Sequence, residues 1–199
     1  GDLWDSGIVE SRESVGVPYL GVALASGQRA WWKVRAFDSA GAPSPWSAPA
    51  TFEMGLLGSS DWEAVWIRAD RPPPASEEAF YGDRPAPLFR KEFEVSGNVR
   101  RARLYVAGLG YHEVHLNGAR VGDEVLDPPW TAYSRRVFYA THDVTDLLRP
   151  GRNAVRAMLG NGWYQPLPLR MWGGLNIREH LTVGEPRLTR PGESGHGTR

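Results

Sequence analysis

Between Arg101 and Tyr164 apolar and polar residues alternate in short runs that break at Gly, Asn-Gly and Pro. A period of two sends successive side chains to opposite faces, the mark of a strand with one face buried. LFRKEFEV, residues 88–95, opens the pattern and turns Phe89, Phe93 and Val95 inward. ARLYVAGLG and YHEVHLNG follow as strands, with a tight hairpin turn at Asn117-Gly118, a pair that tolerates the positive φ such turns need. VGDEVLDPPW leads to a stiff corner at Pro128-Pro129, and RRVFYATHDV predicts a further strand. DVTDLLRPGRN predicts one helical turn, capped by Asp143 or Thr145 and stopped by Pro150-Gly151. NAVRAMLGNGWY predicts a last strand closed by Gly160-Asn161-Gly162. Five or more strands at this spacing predict a jelly-roll-like β-sandwich over 88–183.

The chain ahead of it is organised differently. Residues 28–38, QRAWWKVRAFD, alternate Trp32, Val34 and Ala36 against Lys33, Arg35 and Phe37, which predicts a strand with one buried face. SAGAPSPWS is a turn dense in Gly, Pro and Ser, and PATFEM returns as a second strand. This segment resembles the last strands of a fibronectin type III domain. Residues 1–55 are too few for a whole sandwich of that kind, which takes about 100. The expectation is a partial domain whose first strands are missing, with sheet edges and core side chains uncovered. The fold class is then all-β, a partial fibronectin type III-like sandwich followed by the jelly-roll-like one. A linker spans 56–87. Within it DWEAVWIR suits helix or strand, and the proline-rich 71–87 stretch lacks the N–H donors a ladder needs. Residues 184–199 carry one large apolar residue, Leu188, and are expected to be disordered.

Composition narrows the function classes. The 199 residues are 41% hydrophobic, enough for a packed core, and the 23 glycines and 16 prolines suit many turns. Lys plus Arg and Asp plus Glu number 23 each, so no net field draws nucleic acid or an anionic membrane, and neither is expected as a partner. Absence of cysteine excludes disulfides, thiolate chemistry and Cys-ligated zinc. No apolar run approaches the roughly 20 residues of a membrane helix. The chain opens on Gly1 rather than Met, so a leader is not assessable, and the compartment leans cytoplasmic.

Candidate chemistry is sparse. His112 and His115 form H-x-x-H, but odd spacing on a strand sends them to opposite faces and opposes chelation, so no metal site is expected. His142 sits at a turn start, where a surface or capping role suits it. Glu113, Asp123, Glu124, Asp127, Asp143 and Asp146 fall at turns and caps, and no spacing pairs two of them across a glycosidic bond. No catalytic residue is expected. The glycines of AGLGYHEVHLNG lie between strands, whereas a phosphate loop opens a helix. Aromatics at strand ends carry the best signal, because flat rings suit sugar C–H faces. The candidate carbohydrate-binding residues are Asp127, Trp130, Tyr133, Trp163 and Tyr164, with Trp172 a further loop aromatic. Each ring could equally close the core.

LFRKEFEV, ARLYVAGLGYHEVHLNG, VGDEVLDPPWTAY, DVTDLLRPGRN and LGNGWY together resemble, in order and spacing, the N-terminal β-sandwich domain of bacterial α-L-rhamnosidases. DWEAVWI is similar to the family's junction, and the likeness covers residues 1–183. Two positions depart from the pattern: His112 stands where Tyr is usual, and Pro129 where Gly is usual. The polar tail departs as well, as a frameshift or premature stop would make it, so a fragmentary gene product is expected. The resemblance implies a parent enzyme that removes terminal α-L-rhamnose with inversion, its carboxylates lying in a later (α/α)6 barrel. It implies no cofactor for this chain beyond calcium, which some related modules use and whose ligands are not assignable here. It implies as partners a rhamnose-containing glycoside and the missing catalytic barrel. Three readings follow: a non-catalytic fragment with a sugar-facing sandwich, an autonomous rhamnose-binding module, or a spacer that docks on the barrel.

Overall fold

The computed structural model describes residues 1–13, 15–70, 72, 75–80, 85–160, 162 and 164. The chain divides into two compact units, Gly1–Trp62 and Glu63–Arg199. Trp163, Trp172 and the polar tail lie outside the described residues, as does part of the proline-rich stretch. No helix among the described residues is long and apolar enough to cross a membrane.

The first unit is built on a hairpin. Strands β1 (Arg29–Trp32) and β2 (Ala50–Glu53) pair antiparallel with Arg29 opposite Glu53 and Trp32 opposite Ala50. The expected strand through Asp38 is cut short at Trp32. Beyond it, serine side chains continue the pairing. The N–H of Val34 donates to Ser47 Oγ at 3.1 Å and that of Ala36 to Ser44 Oγ at 3.0 Å. The returning N–H groups of Ser47 and Ser44 donate to the carbonyls of Val34 and Ala36. What reads as a turn at residues 39–47 is therefore mostly a serine-stitched hairpin arm. Asp38 closes its tip by accepting the N–H groups of Ala40 and Ala42. The guanidinium of Arg35 and the ammonium of Lys33 lie 4.6 and 4.7 Å from the Trp46 ring centre.

One expectation fails here. Trp32, Val34 and Ala36 do not form a buried face: Trp32 is 50% and Val34 55% exposed, and only Ala30 of β1 is buried. The cause is that β1 and β2 form a two-stranded sheet, with no second layer of strands in this unit among the described residues. The 62–68 stretch is neither helix nor strand. A 3-10 turn, Ser59–Asp61, precedes it, and Asp61 accepts from Ser26 Oγ and from the N–H of Gly58.

The second unit is a two-layer sandwich. A single helical turn, α1 (Glu77–Phe80), precedes it. Six strands follow: β3 (Leu88–Val95), β4 (Arg103–Val106), β5 (His112–Leu116), β6 (Ala119–Val121), β7 (Ala140–Asp143) and β8 (Gly151–Leu159). One sheet runs β3-β8-β5-β6 and the other β4-β7, every pair antiparallel. The strand expected over residues 135–144 is confined to β7. Its first half follows a tight turn in which the N–H groups of Arg135 and Arg136 donate to the Ala132 carbonyl.

The core lies between the layers. Leu104 and Val106 from β4 meet Val114 and Leu116 from β5, Val121 from β6 and Val155 from β8. Phe93 packs on this cluster from β3, on the face its sequence pattern assigns. β5 thus points His112, Val114 and Leu116 inward and Glu113 and His115 outward, so the two histidines do part company. At the β5–β6 hairpin Asn117 and Gly118 take φ of 54° and 91°. Left-handed backbone costs little only at Gly and Asn, which explains the pair. Asn117 then reaches across to Asn153, which is 2% exposed, and each amide is fully used (below).

The expected helical turn is a 3-10 turn, Thr145–Leu147, whose N-cap is Val144 rather than the expected Asp143 or Thr145. Asp143 Oδ1 accepts both the N–H of Thr145 at 3.0 Å and its hydroxyl at 2.6 Å. Thr145 Oγ1 in turn accepts the N–H of Ala102, and Arg103 Nη1 meets Asp143 Oδ2 at 2.6 Å. These bonds hold the Asp143 carboxyl below its ordinary range, the Thr145 hydroxyl contributing most and Arg103 adding to it.

Candidate functional site

Three loops converge at one end of the sandwich. They are the β4–β5 loop through Gly110-Tyr111, the β6–β7 connection through Asp127–Tyr133, and the segment after β8. The N–H of His112 donates to the Asp127 carbonyl at 3.0 Å, and that of Gly160 to the Tyr111 carbonyl at 2.7 Å. Gly162 seals the third loop onto the first. A Cβ there would lie 2.8 Å from Tyr111 N and 3.1 Å from Gly110 Cα, and φ is +56°. Only glycine lets these two backbones approach so closely.

Asp127 sits where this loop end meets the core. Its carboxylate lies 3.4 Å from His112 Nε2, whose side chain is 5% exposed. The other ring nitrogen, Nδ1, is buried without a hydrogen-bond partner. Burial pushes the His112 imidazole below its ordinary value. Asp127 and Glu124 oppose that shift, and His142 reinforces it. Glu124 Oε2 stands 3.9 Å from His142 Nδ1, and the Glu124 carbonyl accepts from Arg120 Nη2 at 2.6 Å. The Glu124 carboxyl is held below its ordinary range, chiefly by a backbone N–H of its own residue, with His142 and Arg120 adding to it.

The Pro128-Pro129 corner then lifts Trp130 out. Trp130 is 68% exposed. The next residue, Thr131, is buried and donates its hydroxyl to the Arg136 carbonyl at 2.7 Å, which anchors the loop on the far side. Tyr133 and Tyr164 meet edge to face, with ring centres 5.1 Å apart and planes at 90°. Burial raises the Tyr133 phenol, and the neighbouring Tyr111 raises it further.

Of the five sequence candidates, Asp127 and Trp130 therefore share one corner, and Tyr133 and Tyr164 form one pair. Trp163 lies outside the described residues. No ring contact joins Trp130 to the tyrosine pair among the described residues. Tyr111 and His112 were not singled out as binding residues, yet both belong to this loop end. The usable signal was strand parity: His112 shares the inward face with Val114 and Leu116. No group of three or more His, Cys, Asp or Glu residues that could hold a metal occurs among the described residues.

Chemically the site offers one open indole face, a tyrosine pair and a carboxylate already committed to a histidine. Glycoside hydrolysis uses two carboxyl groups, one held neutral as the acid by a raised pKa. Glu124, the other carboxyl near His112, is shifted in the opposite direction.

Comparison with known proteins matches both units. Residues 97–179 match the family described as the alpha-L-rhamnosidase N-terminal domain. Residues 1–58 match the Rha78A-like N-terminal immunoglobulin domain, a two-sheet sandwich like the fibronectin type III domain. An alpha-L-rhamnosidase of Formosa agariphila is 39% identical over 177 residues, covering 82% of this chain and 19% of its own length. One from Alteromonas is 37% identical over 165 residues, covering 82% and 18%. Among solved structures, the alpha-L-rhamnosidase from Dictyoglumus thermophilum superposes with a TM-score of 0.72 at 41% identity, covering 82% of this chain and 19% of that one. The one from Aspergillus terreus gives 0.69 at 44%, covering 78% and 18%. The chain thus spans about a fifth of the length of the relatives it matches.

Proposed function

The chain belongs to the α-L-rhamnosidases, as the counterpart of their N-terminal region, and we propose that within such an enzyme it is a non-catalytic part that meets substrate on the Trp130 loop end. The parent reaction on this reading is hydrolysis of terminal α-L-rhamnose from glycosides. The exposure of Trp130 carries the reading. Trp130 is 68% exposed on a proline corner whose backbone Asp127 and Thr131 hold, so the loop loses little freedom when a sugar ring stacks on the indole. Asp127 serves as the anchor of the corner, and Tyr133 and Tyr164 wall the neighbouring loop.

The second reading, a spacer that docks on a catalytic domain without touching sugar, draws on the same exposed indole as an interface anchor. Titration of the whole chain with L-rhamnose and an aryl α-L-rhamnoside separates the two. Saturable binding lost in Trp130→Ala supports sugar contact. Absence of binding, with calcium and without it, supports the spacer.

A further inference from the structure

The outer face of the four-stranded sheet carries a row of basic side chains in register. Arg90 of β3 stands opposite Arg156 of β8, Arg156 opposite His115 of β5, and His115 opposite Arg120 of β6. Arg90 and Arg156 thus set two like charges directly opposite on antiparallel strands, which is destabilising. The neighbouring acids relieve this unevenly. Glu92 accepts from Arg90 at 2.5 Å and lies 3.8 Å from Arg152. Glu113 lies 3.5 Å from both His115 and Arg120. Arg156, exposed at the centre of the row, has no acidic partner among the described residues.

Beside it lies a groove of about 380 Å³ whose charged walls are Arg90, Arg149, Arg152, Arg156 and the single acid Glu92. In a chain of zero net charge this is a local excess of positive charge. Its floor is rigid. The Asn153 amide accepts from Arg149 N and Asn117 Nδ2 and donates to the carbonyls of Arg149 and Gly151. Asn117 donates to the Leu147 carbonyl and accepts from Ala154 N. Arg149 Nε donates to the Arg152 carbonyl, which orients its guanidinium. The floor amides are thus saturated, Arg90 and Arg152 share Glu92, and the Arg156 guanidinium is left without an acidic partner among the described residues.

We propose that this groove is a binding subsite for the carboxylate of an acidic sugar, a uronate unit, with Arg156 as its central contact. Guanidinium presents paired donors in the plane a carboxylate accepts them, and the volume falls within the range of small-ligand clefts. The lining has no Phe, Trp or Tyr and no aliphatic side chain larger than Ala154, so it offers no anchor pocket to an acidic peptide. The saccharide as carrier rests on the sugar-facing reading above. The oxyanion site itself does not use Trp130.

The test is calorimetric titration of the whole 199-residue chain at low ionic strength with trigalacturonate, its methyl ester, sodium sulfate and a glutamate oligopeptide. Saturable binding of trigalacturonate is expected. Removing its charges as the methyl ester, or making Arg156→Gln, should weaken it about tenfold or more, as loss of a charge-assisted pair does. Arg156→Lys, which keeps charge without the fork, should fall between, and Trp130→Ala should leave this binding unchanged while abolishing that of uncharged rhamnose. Equal binding of ester and acid, an unaffected Arg156→Gln variant, or no binding at all overturns the proposal. So does sulfate or the oligopeptide binding as tightly as trigalacturonate, which marks a general anion surface only.

Discussion

Asp127 holds His112 twice: its carbonyl accepts the His112 N–H at 3.0 Å, and its carboxylate lies 3.4 Å from His112 Nε2. Both residues stand at the corner that presents Trp130. His112 and Pro129, the two positions that depart from the rhamnosidase pattern, therefore belong to one small structure.

That relationship gives a pH dependence. Burial depresses the folded His112 below its unfolded value of about 6.5, so above that pH both states are neutral and the contribution is complete. As pH falls below about 6.5 the unfolded chain binds the proton first, and stability is lost until the folded imidazole also titrates. Urea melts between about pH 7 and pH 5 should show this fall, and His112→Tyr should flatten it. Asp127→Asn removes a charge that opposes the shift and should steepen it. Asp143, shifted downward, acts in a separate window: its contribution is present above the ordinary carboxylate range and lost as pH falls below it.

The Asn117–Asn153 bridge should be costly to cut. Asn153→Ala strands the N–H and carbonyl of Arg149 and a donor of Asn117 beneath the sheet. A loss of about 3 kcal/mol in unfolding free energy is expected from denaturant titration, since each stranded buried group costs about 1–3 kcal/mol. Asn153→Asp keeps the acceptor but turns a buried carboxylate oxygen onto the carbonyls of Arg149 and Gly151 that Nδ2 served, so it should cost at least as much.

Truncation should distinguish core from loop. Leu116 is 3% exposed within the cluster between the layers, so Leu116→Ala should cost about 2–5 kcal/mol. Val125, 78% exposed in the β6–β7 connection, should change stability by no more than about 0.5 kcal/mol on truncation. Chemical melts of both variants check the pair.

The sandwich was legible because β3, β5 and β8 carry two-residue alternation and its hairpin turn carries Asn-Gly. Phe93, Val114, Leu116 and Val155 declare their face by parity alone. The first unit was less so. Burial of Trp32 and Val34 depends on a second layer that alternation cannot supply, and the serine bonds of Ser44 and Ser47 look like turn chemistry in a one-dimensional reading. At the site, the strand ends placed Asp127 and Trp130 correctly on a corner. The His112–Asp127 pair and the Arg90–Arg156 row were not legible, because both depend on which residues lie opposite one another across strands and loops.

Gly162→Ala should disturb the loop end specifically. The added methyl meets Tyr111 N and Gly110 in a backbone already at positive φ, for an expected cost of about 1–3 kcal/mol. The Tyr133–Tyr164 contact should loosen with it, seen as narrowed ring-proton shift dispersion in NMR spectra.

On the proposed reading this chain meets a rhamnoside at Trp130 without cleaving it. A ¹H–¹⁵N NMR titration of the whole chain with an aryl α-L-rhamnoside, the indole signal assigned by Trp130→Ala, reads both halves in one sample. Saturable movement of the Trp130 Nε1–H signal with no released aryl alcohol is the predicted result. An unmoved Trp130 signal at saturating glycoside, or accumulation of the aryl alcohol, would contradict it.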